Sequence, residues 1–162
     1  MAEATAFGIG SSMGYDSQRP WQQKWRDVIN GLNALQATYQ QPDLDSDAVR
    51  RQVEDFFEVC CELADWLDRQ AGKPRAMRYL KQTDPDLRLC DGIAQTRKHH
   101  TREGADPITA KISKVYGGQG GVRAEIEWSR PSGAQGTEDA LDLAQRCVSA
   151  WLRFLKHEGL TP

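Results

Sequence analysis

Two apolar seams of the same period and length constrain this chain most. Trp21, Trp25, Val28, Leu32, Leu35 and Tyr39 recur at steps of 4, 3, 4, 3 and 4. Val49, Val53, Phe56, Cys60, Leu63 and Leu67 repeat those steps. Each seam is one face of an amphipathic helix, and a helix with one apolar face must bury it against another element. The connection Gln41-Pro-Asp-Leu-Asp45 is short, so the two helices are expected to pair as an antiparallel hairpin. The first runs over about 20–40, with Pro20 suited to a first helical position. Gly31 inside it costs about 1 kcal/mol against alanine and leaves room for a close helix crossing. Ser46 is expected to cap the second, which runs over about 47–71 and stops at Gly72, with Pro74 beyond. Phe57 and Trp66 lie off the seam and widen the apolar face, so this helix requires a third neighbour.

Residues 74–82 read as a short helix. Asp84 then caps, Pro85 opens a further helix, and Leu87, Cys90, Ile93 and Ala94 face inward. Over 108–130 the period changes to two. Ile108, Ala110 and Ile112 alternate with polar residues, and Val122, Ala124, Ile126 and Trp128 do the same. This predicts a β-hairpin with one apolar face, and Lys111 and Lys114 opposite Glu125 and Glu127. The glycine-rich Gly117–Gly121 lacks the lysine and the strand-to-helix context of a phosphate loop, and reads as a flexible hairpin tip. Thr137 is expected to cap a last helix, with Glu138 and Asp139 in its first turn. Its apolar face comprises Ala140, Ala144, Cys147, Val148, Trp151, Leu152 and Leu155, and it stops at Gly159. The fold class is therefore mainly α: an antiparallel helical bundle with one β-hairpin inserted before the C-terminal helix. Residues 1–18, rich in glycine and serine, read as a mobile tail, and 19–162 as a single domain.

Charge and cysteine usage bound the function. A net charge of −2 argues against a wholly basic nucleic-acid binder. The charge is uneven, however: Asp43 to Asp68 holds nine acids and two bases, whereas Lys73 to Arg102 holds eight bases and three acids. Either a local basic face forms or the two segments lie together and neutralise each other. The four cysteines, 60, 61, 90 and 147, form no C-x-x-C and no disulfide framework, and read as free thiols of a reducing cytoplasm. No apolar run approaches the roughly 20 residues of a membrane span, and no secretory signal is visible.

The chemistry-bearing stretch is Leu87 to Arg102. Asp91, Gln95 and His99 are spaced by four and stack on one helical stripe, with Lys98 beside them. A histidine can act as general acid or base, and lysine or arginine can stabilise a developing phosphorane charge. These are the groups of a metal-independent ribonuclease: His99 as acid/base, Asp91 as its orienter, Lys98 as charge stabiliser, and Arg97, His100 and Arg102 on phosphate. Asp65, flanking the second seam, is placed to orient a histidine or pair with an arginine of the same region. His157 reads as a surface residue near a helix end. Neither a cofactor nor a metal site is expected.

Asp65-Trp66-Leu67, Leu87-Arg-Leu-Cys-Asp-Gly-Ile-Ala94 and Lys98-His99 together resemble a group of small, largely uncharacterised bacterial proteins. These share D-W-L followed by L-x-x-C-x-D-[IV]-A-N-x-x-K-H. The similarity spans about residues 50–160, closing on a helix like Asp142–Leu155, with Gln95 where the group carries asparagine. The arrangement also looks like the HEPN superfamily of helical-bundle domains, although the arginine that precedes that superfamily's histidine has no counterpart here. The resemblance implies a dimeric domain of a bacterial phage-defence or toxin–antitoxin system that binds or cleaves RNA. Alternatively, it implies a non-catalytic bundle that engages a protein partner such as an antitoxin.

Overall fold

The computed structural model describes residues 20–42, 45–99, 104–118 and 120–162. The expected tail, His100 and Arg102 lie outside the described residues. The first seam forms α1 (Trp21–Tyr39), with Pro20 one position outside it in extended conformation. The second forms α2 (Ser46–Ala71). Its cap is Asp45 and not Ser46: the Asp45 carboxylate accepts from the Asp47 amide at 3.4 Å. Either side chain suits a cap, and the chain enters the helix one residue early. Gly72, at φ 65°, terminates α2, and the Lys73 amide donates back to Leu67 O at 3.1 Å.

The α1–α2 pairing is antiparallel. Lys24 pairs with Glu62, Gly31 faces Phe56, and Thr38 bonds Gln52. A Cβ at Gly31 would stand 3.2 Å from Phe56 Cδ2, so the missing side chain does allow a close crossing. Next come α3 (Arg75–Arg78), a π-helical turn (Tyr79–Thr83) and α4 (Pro85–Lys98). The Tyr79 hydroxyl donates to Ala150 O at 2.9 Å and anchors the π-turn to the last helix, α5 (Ala140–His157). Asp84 caps α4, accepting from the amides of Asp86 and Leu87 at 3.0 Å. Leu87, Leu89, Cys90, Asp91, Gly92, Ile93 and Ala94 are all buried, so α4 is an interior helix. Its burial follows from packing against α2, α5, the π-turn and the sheet.

The sheet has three antiparallel strands in the order β1 (Thr109–Gly118), β2 (Gly121–Ser129), β3 (Gln135–Asp139). Lys111 pairs with Glu127 and Lys114 with Glu125, as the alternation predicts. A bulge at Ser113 re-phases β1 between these two pairs. Ile108, Ala110, Ile112, Val122, Ala124 and Ile126 are buried in the common core. Thr96 ties the sheet to α4: its hydroxyl donates to Gly92 O at 2.7 Å and accepts the Ala110 amide at 3.2 Å.

β3 corrects the reading of 135–139. Thr137 does not cap a helix there; it pairs with Glu127 in the sheet, and Asp139 caps α5 by accepting from the Asp142 amide at 3.0 Å. Gln-Gly-Thr-Glu-Asp is an edge strand without an apolar face, so it carries no alternation to read. The Trp128 indole lies across Gly136, where a Cβ would stand 2.9 Å from the ring. Two further expectations change. Leu152 is 45% exposed, one residue off the stripe that buries Trp151 and Leu155, while Leu143 and Phe154 fill the core. The glycine tract is not one loose tip: Gly117 and Gly118 belong to β1, and Gly121 starts β2. Gly121, at φ 99°, is pressed onto the end of α1, where a Cβ would stand 1.9 Å from Tyr39 O.

Candidate functional site

The polar face of α4 forms one wall of a cleft of about 720 Å³. Arg88, Asp91 and Gln95 project into it at helical spacing. The π-turn contributes Lys81 and Gln82 from the other side, and residues 104–108 close the end. A π-turn offsets side chains from the regular helical phase, which brings Lys81 to α4.

Asp91 is 8% exposed and sits at the centre of this cleft. Lys81 Nζ donates to its Oδ1 at 3.2 Å, and Gln95 Nε2 to the same oxygen at 3.5 Å. Asp106, at the rim, accepts from the Ser132 amide and hydroxyl, both at 2.9 Å, and faces Arg130 at 3.8 Å. The two Ser132 bonds, with Arg130 and Arg88 adding smaller effects, hold its carboxyl below the ordinary carboxylate range. Both cleft carboxylates thus have cationic or hydrogen-bonding partners. Among the described residues, Arg88 makes no ion pair or side-chain hydrogen bond, so its positive charge remains available to a ligand.

The residues predicted from sequence separate. Asp91, Gln95 and His99 do line one cleft. The helix, however, ends at Lys98, and His99 is extended at φ −133° and ψ 130°, so the stripe breaks before its last member. Among the described residues, no hydrogen bond joins His99 to Asp91. Arg97 and Lys98 turn to the opposite side. Arg97 bonds Glu54, Asp55 and Glu58 of α2 at 3.0–3.2 Å, and Lys98 meets Glu58 at 3.1 Å. The Asp55 bond, with the neighbouring acids, raises the Arg97 pKa further. The acidic and basic segments therefore neutralise each other here, and Lys98 does not stand beside His99 as a charge stabiliser. Asp65 pairs with Arg69 of its own helix at 3.1 Å on the surface, and among the described residues no bond joins it to α4. His157 is exposed in the last turn of α5.

Sequence reasoning missed a second constellation. Cys60 of α2, Cys90 of α4 and Cys147 of α5 are fully buried, and their sulfurs lie within 4.8 Å of one another. Cys61, half-buried, places its sulfur 3.2 Å from that of Cys90. Each of the three buried cysteines occupies an inward position, which was the available signal. Which inward residues meet is decided only by the packing of three helices. Burial, first, pushes the Cys90 and Cys147 thiols up. The neighbouring Cys147 and Cys90 thiols draw the Cys60 pKa down, and the Trp151 indole N–H donates to the Cys60 backbone carbonyl at 3.1 Å.

Compared with family models, curated proteins and solved structures, the chain matches none of them.

Proposed function

We propose that this protein is a HEPN-like domain of a bacterial defence or toxin-type system, cytoplasmic and dimeric, whose α4 cleft binds RNA. The observation that carries RNA binding is the charge balance of the cleft: both of its carboxylates are partnered, while Arg88, without an ion pair among the described residues, and His99 also line it. Phosphate is the ligand group that such donors favour. The resemblance described above supplies the biological setting. Binding is favoured over cleavage, because the helix ends before His99 and Lys98 is held by Glu58. The second reading is a non-catalytic module for a protein partner such as an antitoxin. It is favoured by the saturation of Arg97 and Lys98, which removes two cations from any RNA-binding surface.

The test is fluorescence anisotropy with a labelled single-stranded RNA across a salt series. Each neutralised phosphate adds a slope of about −0.7 to log K against log salt on single strands. Arg88→Ala should weaken binding and reduce that slope by about 0.7. Binding that is unchanged in Arg88→Ala, or that does not respond to salt, would sink the reading.

A further inference from the structure

We propose that Cys60, Cys90 and Cys147 form a buried binding site for a thiophilic divalent cation of the zinc class, with Cys61 as its fourth and exchangeable ligand. Three of the chain's four cysteines meet at one point and the fourth, Cys61, touches Cys90, although they come from three helices and are separated by up to 87 residues. Packing alone does not require this, since small apolar side chains would fill the same inward positions.

The separations fit a metal. Zinc–sulfur bonds of about 2.3 Å place ligand sulfurs about 3.8 Å apart in a tetrahedron and about 4.0 Å apart in a trigonal plane. The three buried sulfurs already lie within 4.8 Å of one another, so side-chain adjustments of about 1 Å or less suffice. An all-sulfur, dry site selects soft ions over magnesium or calcium, which require oxygen ligands. Charge favours a divalent ion over a monovalent one. Three thiolates around a divalent ion leave one net negative charge in the core, whereas around a monovalent ion they leave two.

Binding is a proton exchange without a redox step: each coordinating thiol gives its proton to solvent as its sulfur bonds the metal. Cys61, less buried than the other three and with its sulfur 3.2 Å from that of Cys90, is the ligand placed to exchange.

The test titrates the full chain, reduced and freed of metal, with cadmium as the probe. The thiolate-to-cadmium charge-transfer absorption is followed, with proton release measured in parallel. One cadmium per chain, at least three protons released and a raised Tm are expected. Cys60→Ala, Cys90→Ala and Cys147→Ala should each lose at least a hundredfold in affinity, circular dichroism confirming that each is folded. Cys61→Ser should keep the stoichiometry and exchange the ion more slowly. Three independent variants keep the test sound if one fails to fold. Equal cadmium affinity in the folded alanine variants would overturn the proposal. So would uptake that Cys61→Ser alone abolishes, or a failure to bind cadmium combined with ready formation of a Cys61–Cys90 disulfide.

Discussion

Gly121→Ala should destabilise the protein strongly, although it adds one methyl group at the start of a strand. The residue sits at φ 99°, and a Cβ there would stand 1.9 Å from Tyr39 O and 3.0 Å from the Tyr39 carbonyl carbon. Holding an L-residue in that backbone region costs roughly 1–3 kcal/mol. The clash is with main chain at the end of α1, so no rotamer relieves it. Restoring ordinary contact requires the hairpin and α1 to separate by about 1.5 Å, at a cost of roughly 1–3 kcal/mol by analogy with overpacked cores. Together these give a loss of about 2–6 kcal/mol, against a total stability of roughly 5–15 kcal/mol. For a chain of this size that lowers Tm by about 4–24 °C. Gly118→Ala is the control: nothing lies within 4 Å of the point where its Cβ would stand. That substitution should change stability by no more than about 1 kcal/mol. Urea unfolding of both variants, compared at equal m-value, measures the difference. A Gly121→Ala protein as stable as Gly118→Ala would refute the close approach of β2 to α1.

Two further outcomes test how the sheet and the cleft are held. The buried Tyr39 hydroxyl accepts from the amides of Ala124 and Leu141 at 3.1 and 3.2 Å, and lies 2.9 Å from the Asp139 carboxylate, to which it donates. Burial raises its pKa well above the ordinary phenol value, so it remains a donor throughout the physiological range. Tyr39→Phe leaves these groups without that partner and should cost roughly 1–3 kcal/mol, with the largest gain in amide exchange at Ala124 and Leu141. Asp106 contributes a pH dependence of known sign. Its folded pKa is depressed, so its contribution is present above the ordinary carboxylate range and is lost as pH falls through the folded value. The Tm of Asp106→Asn should therefore lie below that of the wild type at pH 7, and the two should converge in acid.

The helices were legible because their apolar residues repeat and their ends carry local signals: Gly72 at φ 65° and Asp84 bonded to two amides are set by chain chemistry alone. The hairpin register followed from alternation and from opposite charges at Lys111–Glu127 and Lys114–Glu125. β3 was hidden because a polar edge strand pairs through its backbone and leaves no pattern in its side chains. In the cleft, α4 spacing located Asp91 and Gln95. The contribution of Lys81 depends on a π-turn that the sequence does not announce. The basic cluster divided because Arg97 and Lys98 found acids on α2, a tertiary event beyond any local periodicity. The thiol cluster was invisible for the same reason: Cys60, Cys90 and Cys147 each signal burial, and only three packed helices make them neighbours.

The central claim is that the α4 cleft is where this protein meets RNA. The most direct measurement is amide chemical-shift mapping of the isotopically labelled protein as a short single-stranded RNA is added. The largest changes are predicted at Lys81, Gln82, Arg88, Gln95, His99 and the 104–108 segment that closes the cleft. Changes confined to the face where Arg97 and Lys98 meet α2, or no changes at RNA concentrations that saturate the anisotropy signal, would contradict it.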